Sequence, residues 1–298
     1  MPHRLRPILN AMGIWACALS LVAQPTLALA APAELPQEPH HRLSLSADHP
    51  HDVALTLDAC MGAYDADLIA LLVKQQVPAT LFVTKRWLDR NPGPARELLA
   101  HPELFELQDH GAAHVPAVVG KGRKVYGIAG QPDMAHVEQE VQGGAQAIQH
   151  LSGQTPTYYR GATAVYDPSA EHAIQALGYQ IAGFSVNADA GATLPKADIV
   201  ARLRATRPGD IIIAHMNRPA GQTAEALAQV LPELLGRGLH FVKLSQAQIT
   251  LVSATAVRAT VAASRPAAKA AAKAASQPVA VPASVPAPRP ASYPASAP

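Results

Sequence analysis

Seven short apolar runs alternate with amphipathic segments along the middle of this chain, and that rhythm restricts the fold more than any other feature. The strand-like runs lie at 53–58, 79–83, 104–109, 157–160, 180–186, 210–215 and 239–243. Between them, segments near 66–76, 94–100, 133–151, 169–177, 197–206 and 222–236 are amphipathic. Asp65, Asp67, Leu68, Leu71 and Leu72 show the pattern, acids first and then apolar residues at helical spacing. Gly178, Gly209 and Gly238 stand where helices should stop. Apolar strands separated by helices predict an α/β domain of parallel strands wrapped by helices. No glycine-rich phosphate loop follows the first strand, because Gly120-Lys121-Gly122-Arg123 is a basic turn without that spacing. A (β/α) barrel is therefore favoured over an open doubly wound sheet, and its chemistry should gather at the C-terminal strand ends.

The ends of the chain read differently. Residues 1–30 carry Arg4 and Arg6, then an apolar run, and finish on Ala28-Leu29-Ala30. That is the pattern of a secretory signal peptide, with cleavage expected before Ala31 and a secreted or periplasmic destination. Gln24 and Pro25 interrupt the run, and no later stretch is long enough to span a bilayer, so no membrane span is expected after processing. Residues 31–51 form a polar leader containing His40, His41, His49 and His51. Residues 251–298 are mostly Ala, Pro, Ser and Val with five cations and no acid, too poor in large apolar groups to fold alone. This basic tail is expected to be disordered and could touch anionic envelope polymers. Without the signal and tail cations, the net charge of +2 becomes about −5 on the body, which argues against nucleic acid as a partner. The folded domain is expected over 52–250, with Cys60 its single cysteine and no internal disulfide.

Polar residues punctuate the strand ends. The first run stops on Asp58, the third leads into His110 and His114, the fourth ends on Arg160, the fifth is followed by Asp189, and the sixth ends on His215. In a barrel these residues would converge on one mouth. His110 and His114, four apart, would share a face if the loop enters a helical turn. Two imidazoles and a carboxylate make a three-ligand metal site with room for water and substrate. Zinc suits such a site, with nickel, cobalt or manganese as alternatives.

With these motifs in order, residues 50–250 resemble the polysaccharide deacetylases, the NodB-homology domain of carbohydrate esterase family 4. Thr56-Leu57-Asp58 resembles the start of that family's Thr-Phe-Asp-Asp motif, and His110 to His114 its His-x-x-x-His metal motif. Arg160, Asp189 and Ile213-Ala214-His215 stand where its third, fourth and fifth motifs fall. The resemblance implies a distorted (β/α)7 barrel and metal-dependent removal of N-acetyl groups from an amino-sugar glycan of a cell wall or exopolysaccharide. It implies His110, His114 and a carboxylate, Asp58, as metal ligands. Asp58 would also be the base, His215 the acid that protonates the leaving amine, Asp189 its support and Arg160 the partner of the base.

The departures matter as much. The family's second aspartate is Ala59 here, so either Asp58 serves the metal or another acid does, Asp65 and Asp109 being nearest. The prolines after the third-motif arginine are replaced by Gly161-Ala162-Thr163, and the fourth motif's tryptophan is absent. Cys60 could be a soft ligand, although a small buried apolar role is the simpler expectation for it. Two alternatives stay open: hydrolysis of another non-peptide C–N bond, such as a cyclic amide or imide, and a non-catalytic glycan-binding domain.

Overall fold

The computed structural model describes residues 35–251, so the expected signal peptide and almost all of the tail lie outside the described residues. The chain runs β1 (His41–Leu43), β2 (Asp52–Ala59), α1 (Ala66–Gln75), β3 (Ala79–Val83), α2 (Lys85–Arg90), α3 (Pro92–Leu99) and β4 (Phe105–Asp109). A hairpin, β5 (Lys124–Val125) and β6 (Ile128–Ala129), precedes α4 (Met134–Ser152), β7 (Tyr158–Tyr159), α5 (Pro168–Ala176), β8 (Gln180–Ile181) and β9 (Val186–Asn187). It ends with α6 (Lys196–Arg204), β10 (Ile211–His215), α7 (Thr223–Gly236), β11 (His240–Phe241) and β12 (Ile249–Leu251). Among the described residues no helix is long and apolar enough to cross a membrane.

The main sheet is parallel, in the order β8-β7-β4-β3-β2-β10-β9, with β11 paired to the start of β2. The two end strands come from one stretch of chain, residues 180–187, so the sheet curls back toward itself as a half-barrel. Strand periodicity sorts the side chains into two layers. Along β2, Val53, Leu55, Leu57 and Ala59 face the helices and join a core with Leu68, Leu72, Leu227 and Leu231. Ala54 faces the concave side with Phe82, Tyr158, Ile211 and Ile213. Each such leucine or isoleucine contributes roughly 1.5–3 kcal/mol by leaving water.

The run expected as one strand over 180–186 is two short strands at opposite ends of the sheet. The cause lies between them: the carbonyls of Ala182 and Gly183 turn to accept from Arg160, from Nε at 2.9 Å and Nη2 at 3.3 Å. A carbonyl used that way is lost to a strand ladder. The leader covers this break. β1 pairs antiparallel with β12, the His41 amide donates to Phe184 O at 3.3 Å, and the Gly183 amide donates to His41 Nδ1 at 3.0 Å.

His41 is thereby a built-in acid sensitivity. Burial, helped by the Arg160 cation, pushes it down to about 4. A histidine near 6.5 in the unfolded chain and lower in the fold stabilises fully above about 6.5, and loses that contribution as pH falls toward the folded value. The urea midpoint is expected to fall between pH 6.5 and 4 in the natural chain. His41→Gln, which can still accept from Gly183 but does not titrate, should fall less steeply; parallel curves would remove His41 from the explanation.

Candidate active site

The parallel register aligns the strand ends. His215 lies directly opposite Asp58 in the β10–β2 pair, and Asp109 opposite Tyr159 in the β4–β7 pair. The next residues, His110 and Arg160, therefore reach the mouth together, and Asp58, Arg160, His110, His114 and His215 meet there as their positions at the strand ends predicted.

Asp58 is buried, and its Oδ1 accepts from Arg160 Nη1 at 2.8 Å. That nitrogen also donates to Thr56 Oγ1 at 2.8 Å, and the guanidinium lies 4.2 Å from the centre of the Phe82 ring. Arg160 is wholly buried, so its charge is met by these groups and by the carbonyls of Ala182 and Gly183. Burial alone would raise the Asp58 pKa, but Arg160, with His110 and His215, outweighs it and holds the carboxyl below its usual range. Asp58 is a carboxylate in this setting.

His110 is equally fixed. Its Nδ1 donates to the Arg160 carbonyl at 2.5 Å, which leaves Nε2 to face the mouth, 3.4 Å from Cys60 Sγ and 3.7 Å from Asp58 Oδ2. One ring nitrogen tied to a carbonyl and the other free is the arrangement of a ligating histidine. Burial depresses its basicity, but the Asp58 and Cys60 anions prevail and raise it to about 9. His114 packs edge-on against it, ring centres 5.0 Å apart. The two rings do not meet through a helical turn as expected. Residues 110–114 form a loop, with Gly111 at φ 86° and His114 at φ 63°. Glu140 from α4 pins that loop, its Oε1 accepting from the amides of Ala113 at 2.9 Å and Val115 at 3.0 Å. A side chain at Gly111 would collide with this carboxylate.

The remaining pair is His215 and Asp189. Asp189 is wholly buried, accepts from His215 Nδ1 and its backbone amide, both at 2.8 Å, and from Thr223 Oγ1 at 2.9 Å. Burial opposes the His215 cation, yet the Asp189 bond, followed by Cys60, raises its pKa well above the ordinary histidine range.

Neither substitute acid reaches the histidines. Asp65 caps α1, accepting from the Leu68 amide at 3.0 Å. Asp109 sits on the helix-facing side of β4 with Phe105 and Leu107 and packs against Gly144 of α4. Burial raises its pKa well above the carboxylate range. Asp58 stands beside His110 but outside the set of donors that come together; that set is Cys60, His110 and His114, whose ligand atoms all lie within 4.8 Å of one another. The sulfur also faces His215: burial raises the thiol pKa, but the three imidazoles outweigh it and hold Cys60 well below its ordinary value. An apolar packing role for Cys60 does not describe this environment. The soft-ligand role that the sequence left as the lesser expectation for Cys60 fits its place in this donor set, while sequence reasoning missed Glu140 and Thr223, which act through hydrogen bonds between distant segments.

Comparison with known proteins shows what this chain is similar to. Residues 46–182 match the polysaccharide deacetylase family. No curated protein matches the chain. The polysaccharide deacetylase fold extends beyond the matched segment in solved structures. The Bc1960 peptidoglycan N-acetylglucosamine deacetylase superposes with a TM-score of 0.57 at 18% identity over 69% of this chain and 90% of that one. BA3943, a family 4 pseudoenzyme from Bacillus anthracis, gives 0.55 at 19% identity over 66% of each chain. An acetyl xylan esterase of family 4 from Clostridium thermocellum, solved with cobalt, gives 0.54 at 21% identity over 65% of this chain and 89% of that one. At such identities the likeness establishes the fold.

Proposed function

We propose that this protein is a metal-dependent hydrolase that removes N-acetyl groups from an amino-sugar glycan of the cell envelope, working outside the cytoplasm. The observation that carries the reading is the convergence of three prepared units: the Asp58–Arg160 pair, the His215–Asp189 pair, and the two histidines between them. His110 and His114 with a third donor from the end of β2 fit a divalent ion, zinc being favoured by nitrogen donors of this kind. Such an ion would supply Lewis acidity toward the acetyl carbonyl and acidify water.

The chain's own groups do the rest. Asp58, kept anionic by Arg160, accepts a proton from the water that attacks the acetyl carbon. His215, kept cationic by Asp189, gives its proton to the glycan nitrogen as the C–N bond breaks. Acetate and a free amine result, and the proton on Asp58 returns to solvent or His215. The alternative C–N substrates, cyclic amides or imides, need the same base and acid. A non-catalytic reading has a counterpart in the BA3943 fold, but it leaves two buried ion pairs at one mouth without a use.

Acetate release from chitooligosaccharides and peptidoglycan fragments, with zinc, nickel, cobalt or manganese added, tests this directly. Activity is expected with at least one ion and none after chelation. His110→Ala should lose the bound metal and the activity together. Inactivity on every N-acetylated glycan, with turnover of a cyclic amide instead, would transfer the proposal to that substrate class.

A further inference from the structure

We propose that the third protein ligand of this metal site is the thiolate of Cys60, in the place where the relatives' motif supplies an aspartate. The inference rests on the metal reading above and concerns which atom completes it. Strand parity is the first argument. Side chains alternate along β2, so Asp58 and residue 60 share the concave face, while Ala59 between them is packed among the helix-facing apolar residues. Ala59 offers no donor atom, whereas the Cys60 sulfur already stands in the mouth, 3.4 Å from His110 Nε2.

Preorganisation is the second argument. Thr84 Oγ1 donates to the Cys60 carbonyl at 2.6 Å, Asn91 Nδ2 to the Gly62 carbonyl at 3.1 Å, and Asn217 Nδ2 to the Met61 carbonyl. Gly62, at φ 103°, lets the chain turn under Asn217, where a side chain would meet its carbonyl oxygen. The loop after β2 is thus held from three sides with the sulfur aimed at the imidazoles. Third, the alternative acids are less well placed: Asp58 is held through Oδ1 by Arg160 and falls outside the clustered donor set, Asp65 accepts from the Leu68 amide, and Asp109 lies on the opposite face of β4. Ligand atoms on a tetrahedral zinc with bonds of about 2.0–2.3 Å lie roughly 3.5 Å apart, and the Sγ–Nε2 separation is already 3.4 Å. Two imidazoles and a thiolate form a soft set that favours zinc and cobalt over manganese.

Cobalt(II) binding to the whole chain provides a readout independent of turnover. The natural protein should show the visible bands of low-coordinate cobalt together with a near-ultraviolet thiolate-to-cobalt charge-transfer band. Cys60→Asp should keep the visible bands and lose the charge-transfer band. Cys60→Ser should weaken metal affinity by more than the roughly 10–100-fold that loss of a mere supporting partner costs. Visible bands without the charge-transfer band in the natural protein would overturn the thiolate while leaving the metal reading intact. No cobalt or zinc binding at all would overturn both. Metal-free activity abolished by Cys60→Ser would overturn the ligand role and make Cys60, beside His215 and Asp189, a nucleophile.

Discussion

Arg160→Met is expected to destabilise the fold by about 3–5 kcal/mol, the cost of leaving a buried charge without its partner. Arg160 lies at the centre of the concave layer, and four groups depend on it: the Asp58 carboxylate, the Thr56 hydroxyl, and the carbonyls of Ala182 and Gly183. Methionine fills the volume over Phe82 but donates nothing. Asp58 then keeps a charge in a site without its counterion or takes up a proton. The carbonyls of 182 and 183, already turned from any ladder, lose their donor. Urea denaturation at pH 7 measures the loss. A second variant separates charge from packing. Arg160→Met combined with Asp58→Asn removes both charges, and should recover part of the stability while remaining inactive. Equal instability of the single and double variants would mean that the carbonyls, rather than Asp58, are what Arg160 holds. Lost activity with full stability in Arg160→Met would overturn the assignment of its structural role.

The parts of the fold legible in the sequence were those whose signal is local. The strand 79–83 and the helices near 66–76 and 133–151 carry their own periodicity, and their observed limits differ little. The helix α2 did not show because it has only 6 residues directly after β3, although Thr84 caps it by accepting from the Trp87 amide at 3.0 Å. The break at 182–185 and the pairing of β1 with β12 depend on residues far away in sequence, and no local pattern reports them. At the site, motif order placed the histidines, Arg160 and both aspartates. What it did not use was face parity. Phe105, Leu107 and Asp109 lie on one side of β4 and His110 on the other, a count of twos that excludes Asp109 without coordinates. The same count along β2 brings forward Cys60 in place of Ala59. The sequence motif named the missing aspartate; strand geometry says where a replacement has to stand.

On the proposed function, His215→Ala is expected to lower kcat by about 10²–10⁴-fold, the usual worth of a positioned general acid, without loss of the metal that this reading assigns to His110 and His114. The distinguishing measurement is the pH profile. A general acid works only while protonated, so the rate falls as pH rises through its pKa. Asp189 bonds the His215 ring and raises that pKa well above the ordinary histidine range, so the natural enzyme should keep its rate on the alkaline side. Asp189→Asn keeps an oxygen for the His215 amide or ring and for Thr223, but removes the charge. The alkaline limb should then move to lower pH, with metal content unchanged. A purely structural Asp189 would lower the amount of folded enzyme and leave the position of the limb where it was. If the limb stays fixed in Asp189→Asn while kcat per folded molecule is preserved, His215 is not the acid, and the proton for the leaving amine comes from Asp58 after it has deprotonated water.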